Sequence, residues 1–149
     1  TCVRLYGIPE NSNEDTDQVM LDLAVGKLGL NLQSHEIDRF HHRVGQPRRP
    51  REGTGKVPPR PIIVKCTSYR TREVILKNRR RLKGTGIGIE EDLTSTNRAL
   101  LKEATEEANK NDKLIAAWSV DGKVFVSVKT GNGTSAKKKI VSNSDLKKL

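Results

Sequence analysis

The amino-acid sequence predicts an α+β protein in two parts, a larger unit over residues 1–91 and a smaller unit over residues 92–149. Short segments that alternate in hydropathy or are rich in β-branched residues are interleaved with segments whose apolar residues recur at helical spacing. Up to about residue 90 the order is strand, helix, strand, strand, helix, strand, and a helix followed by a hairpin comes next. The 149 residues suffice for one ordinary domain or two small ones.

The first strand is predicted over residues 2–8, where apolar and strand-forming residues alternate before Pro9. Ser12, Asn13 and Asp15 can each cap the helix that follows, and Gly29 can end it. The apolar residues at the spacing of one helix face are Val19, Met20, Leu23, Ala24 and Leu28.

Residues 37–44 are predicted as the second strand, and residues 61–66 form the clearest strand in the chain. Five of the six prolines lie between positions 47 and 61, with glycines and basic residues among them, so a long basic loop is predicted there. Ser68 is a good N-cap for a second helix that ends at Gly84 with a very basic last part. Residues 85–89 alternate as a short fourth strand.

This βαββαβ order is that of a ferredoxin-like fold, in which two helices back an antiparallel sheet. It is also the architecture of the RNA recognition motif. The glycines at positions 84, 86 and 88 follow a helix and enter a strand, so they are interpreted as a helix end and an edge strand rather than as a phosphate-binding loop.

The second unit is predicted to be a small α+β domain. Thr94 or Ser95 would cap a helix ending near Asn111, and Asp121-Gly122 is a strong two-residue turn between strands over 116–120 and 123–128. A polar loop over 130–135 follows, and a basic segment over 137–141 leads to residues 142–145, which would cap a terminal helical turn.

Charge is the most informative property of the composition. The chain has 28 Lys and Arg against 18 Asp and Glu, a net charge of +10 and a pI of about 9.9. From residue 39 to residue 83 fifteen basic residues stand against only two acidic ones, so this segment alone carries +13. Such segregation of sign predicts a polyanionic partner. The alternative is a solvated basic face without a partner.

Catalysis and metal binding are not predicted. Cys2 and Cys66 are expected to be free thiols, and together with the three histidines, His35, His41 and His42, they lack the spacing of a zinc site. No nucleophile has a neighbouring base. The acidic run over 90–92 is interpreted as charge in the first turn of a helix rather than as a nuclease metal site. No segment is apolar enough to cross a membrane, and no cofactor is expected.

The predicted sheet of the first unit lacks the aromatic side chains on which RNA recognition motifs stack bases. Arg4 takes the stacking position of the first strand, and aromatic residues are only 3% of the chain. We therefore expect affinity to come from phosphate neutralisation, which is independent of sequence and dependent on salt. Trp118 either contacts a base or belongs to the core of the second unit, and the sequence favours neither.

Four segments resemble the first open-reading-frame protein of LINE non-LTR retrotransposons, the ORF1p-like (transposase 22) family. They span residues 3–10 (VRLYGIPE), 60–66 (RPIIVKC), 82–87 (LKGTGI) and 91–94 (EDLT). The resemblance covers essentially the whole chain and implies an atypical RNA recognition motif followed by a small C-terminal nucleic-acid-binding domain. It implies a single-stranded RNA-binding protein and nucleic-acid chaperone that packages the element's transcript into ribonucleoprotein particles.

The resemblance also implies which residues bind RNA: Arg48, Arg49 and Arg51 in the basic loop, Arg80 at the basic helix end, Lys102 with Arg98 one turn earlier, and Trp118. The family forms trimers through an N-terminal coiled coil that is absent from this chain. A cytoplasmic ribonucleoprotein particle is the expected location, with the nucleus as the alternative, and single-stranded DNA is the alternative ligand. The full set of expected nucleic-acid-binding residues is Arg4, Arg48, Arg49, Arg51, Lys56, Arg60, Lys65, Arg79, Arg80, Arg81, Arg98, Lys102 and Trp118.

Two rival functions are open at this level. The basic face could dock an acidic protein, as in a structural or interaction module, which predicts tight protein binding and weak oligonucleotide binding. A nuclease or transposition enzyme is the third reading, and metal-dependent cleavage of a labelled strand would support it.

Overall fold

The protein is α+β, as the sequence predicts. A computed structural model describes residues 1–38, 42–47, 49–50, 52–53 and 55–149. The chain divides into two compact units, Thr1–Asp92 and Leu93–Leu149, each with its own hydrophobic core. The boundary predicted from the sequence lies after residue 91, and the division in the structure lies after Asp92.

The first unit contains a four-stranded antiparallel sheet in the order β2-β3-β1-β4. Its strands are β1 (Cys2–Tyr6), β2 (His42–Arg43), β3 (Ile62–Lys65) and β4 (Gly88–Glu91). Arg4 on the central strand β1 lies opposite Ile63 of β3 on one side and opposite Glu90 of β4 on the other.

The second strand lies within the segment 37–44 that the sequence predicts. In the described part of that segment, His42–Arg43 pairs regularly with β3, and Ile37 makes one isolated antiparallel bridge to Cys66. Residues 39–41 of the predicted strand lie outside the described residues. The fourth strand is displaced toward the C-terminus of its predicted range, because residues 83–86 form a turn in which Gly84 and Gly86 have positive φ angles.

The helices of the first unit begin at the predicted caps. The side chain of Asp15 accepts hydrogen bonds from the backbone N–H groups of Asp17 and Gln18 at the start of α1 (Thr16–Leu23). Ser68 accepts one from Thr71 at the start of α2 (Tyr69–Asn78). These bonds satisfy backbone donors that have no partner within the helix.

Both helices change geometry before they end. A π-helical turn, Ala24–Leu28, continues α1 and ends at Gly29, whose φ of 65° is the left-handed conformation that favours glycine. A 3-10 turn, Arg79–Leu82, continues α2. A second, separate 3-10 turn spans Ser34–Glu36.

The core of the first unit lies between one face of the sheet and the two helices. Every second side chain of β1 and β3 points into the core. Apolar side chains of α1 and α2 pack against them. The thiol of Cys66 belongs to this core, and burial raises its pKa to about 11, so it is protonated at neutral pH. The most buried members are Val3, Leu5, Met20, Leu28, Ile62, Val64 and Ile75.

The second unit packs one helix against a three-stranded antiparallel sheet in the order β5-β6-β7. The helix α3 (Ser95–Lys110) begins at Thr94, which accepts a hydrogen bond from the Asn97 N–H. The strands are β5 (Leu114–Val120), β6 (Lys123–Lys129) and β7 (Ser135–Ile140), and a short helix, α4 (Asn143–Lys147), follows. The core consists of Leu100, Ala104, Leu114, Val124, Val126, Ile140 and Leu146.

One interpretation of the sequence is wrong. The acidic residues 90–92 are not in the first turn of a helix: Glu90 and Glu91 are the last residues of β4, and α3 begins at Ser95 without an acidic residue in its first turn. Glu91 and Asp92 instead form ion pairs with arginines of the first unit.

Candidate nucleic-acid interface

Two arginines of the basic segment are paired with acidic residues from the start of the chain. The Arg43 guanidinium donates to both carboxylate oxygens of Glu14, at 2.7 and 2.8 Å, and to the carbonyls of Ile8, Pro9 and Arg60. Its side chain is only 6% exposed. The hydrogen bond to Arg43 lowers the pKa of Glu14. Arg43 is therefore a structural residue rather than a free surface cation.

Arg60, an expected RNA-binding residue, also has partners within the first unit. Its guanidinium donates to Glu10 and to the Gly45 carbonyl, and its backbone N–H donates to Glu10 at 2.7 Å. These hydrogen bonds lower the pKa of Glu10. A phosphate at Arg60 would have to compete with this carboxylate, and the role of Arg60 in binding stays a prediction.

A third arginine is buried with its partner. Arg72 on α2 donates to Glu91 on β4 at 2.6 Å, and the two side chains are 8% and 4% exposed. Arg72 also pairs with Glu73 and lies 5.6 Å from the ring centroid of Tyr69. The ion pair connects a helix to the sheet and removes another positive charge from the surface.

On the outer face of the four-stranded sheet, two described cations have acidic partners. Arg4 donates to Asp92 at 2.5 Å, and Lys65 pairs with Asp38 at 3.0 Å, which raises the pKa of Lys65. Arg4 and Lys65 were both expected to bind RNA, but each has an acidic neighbour. Tyr6 lies on this same face, opposite Gly88. Sequence reasoning did not identify it as an aromatic residue on the outer face of the sheet.

The basic end of α2 brings several cations together without an acidic residue among those that line the site. Arg79 and Arg80 in the 3-10 turn, with Lys83, line a cavity of about 620 Å³ whose wall is completed by glycines and apolar residues. No Asp or Glu lines it. Among the residues that the structure describes, none forms a salt bridge with Arg79, Arg80 or Lys83. The expectation missed Lys83, which lies in the same basic run.

Arg81 has a different position from its two neighbours. Its Nη1 donates to the carbonyl of Leu28 at 3.0 Å, at the end of the π-helical turn. A Cβ at position 29 would lie 2.3 Å from this nitrogen, so the adjacent glycine leaves the guanidinium room. Arg81 thus stabilises a helix end in addition to carrying charge.

The basic loop can be described only in part. Arg49 and Lys56 are exposed, as a phosphate-binding role requires. The predictions for Arg48 and Arg51 fall outside the described residues.

The predicted cations of the second unit lie on α3. Lys102 is exposed, whereas Arg98 is half-buried and donates to the Leu93 carbonyl at 2.7 Å. That contact holds the helix to the segment before its first turn.

Trp118 is on the outer face of the three-stranded sheet, opposite the core. It pairs directly with Phe125, and both neighbours of Phe125 along β6, Val124 and Val126, are buried in the core. The ring centroids of Trp118 and Phe125 are 6.3 Å apart. Sequence reasoning missed Phe125, although the two-residue turn Asp121-Gly122 by itself puts positions 118 and 125 opposite each other.

No protein-family model matches the chain. Within the described residues, no three or more His, Cys, Asp and Glu side chains form a group that could hold a metal ion. The helices in that part of the chain include none long and apolar enough to cross a membrane.

Proposed function

We propose that this protein binds single-stranded RNA through its phosphate backbone with little dependence on sequence. The observation that carries the proposal is the cavity at the end of α2, where Arg79, Arg80 and Lys83 meet with no acidic residue in the lining. Guanidinium groups suit phosphate, which they bind through charge-assisted hydrogen bonds. Exposed Arg49, Lys56 and Lys102 are further phosphate contacts.

The fold supports a more specific form of the proposal, in which the first unit is a ferredoxin-like RNA recognition motif. The strand order β2-β3-β1-β4 with two helices on one face is what a βαββαβ unit of that type requires. Its sheet departs from the usual motif because Arg4 and Ile63, rather than aromatic rings, lie at the centre of the outer face. Backbone contacts therefore carry more of the affinity than base stacking on this sheet.

The resemblance to the LINE open-reading-frame proteins supports a biological context for this activity. We propose that the bound strand is the element's own transcript and that the protein acts as a chaperone in its ribonucleoprotein particle, without catalysis. Trimer formation through a coiled coil outside this chain would multiply the affinity of each copy.

The test is a competition between single-stranded RNA, single-stranded DNA and duplex RNA for the whole chain at two salt concentrations. Both single strands are expected to bind better than duplex, and binding should weaken strongly at the higher salt concentration. Tight binding of an acidic protein with negligible binding of every oligonucleotide would instead support a protein-docking module. Cleavage of the labelled strand with added Mg²⁺ would support a nuclease.

A matched pair of variants locates the interface. Arg80→Ala and Arg70→Ala each remove one exposed arginine, from the C-terminal and N-terminal ends of the same helical segment. Arg80→Ala is expected to weaken RNA binding about three- to tenfold for all sequences alike, and Arg70→Ala much less. Equal effects of the two variants would contradict a site at the helix end.

A further inference from the structure

The outer face of the three-stranded sheet combines aromatic and basic side chains. Trp118 of β5 and Phe125 of β6 are a directly opposed cross-strand pair, with their ring planes inclined by 21°. The two ring planes are therefore nearly parallel. The helix α3 packs on the other face of this sheet, with Leu100 and Ala104 in the core.

A lysine lies over both rings. The Nζ of Lys137 is 4.2 Å from the Phe125 centroid and 5.8 Å from the Trp118 centroid. The strand register explains this contact. Lys137 on β7 is directly opposite Ser127 on β6, and Phe125 on β6 is the diagonal neighbour of Lys137 on the same face. Lys139, the next residue on this face of β7, is directly opposite Phe125.

The charged side chains of the three strands are all basic. The strands β5, β6 and β7 contain no Asp or Glu, and Lys123 and Lys129 lie on the same face of β6 as Phe125. A cation–π contact alone would account for one lysine over the rings. It does not account for Lys123, Lys129 and Lys139, three further lysines on the same face of the sheet. A ligand suited to this face is both negatively charged and able to stack on aromatic rings.

We propose that this face of the second unit is a base-stacking site for single-stranded nucleic acid, in which Trp118 and Phe125 contact bases while Lys137 and Lys139 contact the flanking phosphates. The inference rests on the proposed function and assigns it a second subsite. Each base has a π-face, so stacking here accepts any sequence. In the free protein Lys137 covers the rings, and a bound base displaces its ammonium group toward a phosphate.

This site contrasts with the sheet of the first unit. There the outer face carries the Arg4–Asp92 and Lys65–Asp38 ion pairs beside Tyr6, so its cations already have acidic neighbours. Bases are therefore contacted mainly by the sheet of the second unit, and the first unit contributes phosphate contacts at the end of α2.

The test uses the whole chain and its single tryptophan. Trp118 fluorescence, excited where tyrosine does not absorb, is recorded while oligo(U) or an abasic strand of the same length is added. Fluorescence anisotropy of a dye on the strand gives the affinity in parallel. Oligo(U) is expected to change the Trp118 emission and to bind on the order of tenfold more tightly than the abasic strand.

Two variants sharpen the result. Phe125→Leu keeps an apolar strand residue and the Trp118 reporter, and it should reduce the preference for oligo(U) over the abasic strand without abolishing it, because Trp118 can still stack on a base. Lys137→Gln is matched by Lys138→Gln, which removes the same charge from the adjacent residue of β7 on the opposite face. The first should weaken oligo(U) binding more than the second. Circular dichroism shows whether each variant is folded.

The outcomes separate the two proposals. Oligo(U) that binds without a change in Trp118 emission and no better than the abasic strand overturns the stacking site but leaves the phosphate site at the end of α2 intact. Failure of both strands to bind overturns the proposed function and this inference with it. If Phe125→Leu does not fold, the comparison of the two strands on the unmodified protein decides.

Discussion

Arg43 uses all three of its guanidinium nitrogens within the first unit. They connect the carbonyls of Ile8, Pro9 and Arg60 with the carboxylate of Glu14, so one side chain holds together the end of β1, the approach to α1 and the end of the basic loop. A buried guanidinium requires such partners, because an unpaired charge in the interior is very costly.

The pairing of Glu14 with Arg43 predicts a specific dependence of stability on pH. The native pKa of Glu14 lies below its ordinary value of 4.5, so the unfolded chain takes up its proton first as the pH falls. The stabilisation is therefore complete above about pH 5 and is lost as the pH falls through the native pKa. Glu14→Gln should reduce the free energy of unfolding at pH 7 by about 2 kcal/mol and flatten its acid dependence.

Urea denaturation at pH 7 and at acidic pH, followed by circular dichroism, measures this effect. Glu52→Gln is the matched control, because it removes the same charge from an exposed loop residue. An acid dependence in Glu14→Gln as steep as in the unmodified protein would show that Glu14 does not contribute to it.

The buried pair Arg72–Glu91 gives a second prediction at this scale. No described residue is a hydrogen-bond partner of Oε2 of Glu91, so the pair is only partly compensated for its burial. Removing one member by Glu91→Ala leaves a buried arginine and should cost about 3–5 kcal/mol. The double variant Arg72→Met/Glu91→Leu should be more stable than that single variant, because no charge remains buried. Denaturation midpoints compare the two, and a double variant less stable than the single one would refute the argument.

At the scale of elements, the 3-10 turn Arg79–Leu82 gives two neighbouring arginines different roles, one at the cavity and one in a structural hydrogen bond. Leu82 is buried and fixes the turn in the core, while Arg80 is exposed beside the cavity. Arg81 turns toward the end of the other helix and donates to Leu28. An α-helical continuation would distribute these side chains differently, since a 3-10 turn has three residues per turn rather than 3.6.

This division predicts different consequences for Arg81→Ala and Arg80→Ala. Arg81→Ala loses the hydrogen bond to Leu28 and should lower the free energy of unfolding by about 1 kcal/mol. Arg80→Ala should change it by less than about 0.5 kcal/mol while weakening RNA binding. Urea denaturation and anisotropy titration of both variants check this. Equal stabilities of the two variants would mean that the Leu28 contact contributes nothing.

At the scale of the whole molecule, acidic residues from outside the basic segment offset part of its positive charge. Among the residues that the structure describes, four basic residues of this segment, Arg43, Arg60, Lys65 and Arg72, pair with acids from outside the segment, namely Glu14, Glu10, Asp38 and Glu91. The remaining positive charge is concentrated at particular places, of which the end of α2 is the best defined.

The salt dependence of binding is a property of the whole chain. Each phosphate contact on a single strand contributes about 0.7 to the slope of log K against log salt concentration, so about eight contacts would give a slope of about −6. The double variant Arg79→Ala/Arg80→Ala should make the slope shallower by about 1.4. Titrations at several salt concentrations provide the slopes, and an affinity almost independent of salt would contradict binding through phosphates.

Local patterns in the sequence determined the order of the elements, the caps at Asp15, Ser68 and Thr94, and the turn at Asp121-Gly122, because these depend on residues close together in the chain. The concentration of cations at the end of α2 was likewise evident in the sequence as a run of basic residues over 77–83. Opposition of Trp118 and Phe125 followed from the turn alone, although the sequence left open whether Trp118 was in the core.

Only the tertiary structure decided which cations have acidic partners. Glu10 and Arg60 are 50 residues apart in sequence and meet because the sheet brings their segments together. The position of Lys137 over the two rings likewise depends on the register between β6 and β7. The polar loop over residues 130–134 connects these strands but does not specify their register. Contacts of this kind arise from packing distant segments, and no local pattern encodes them.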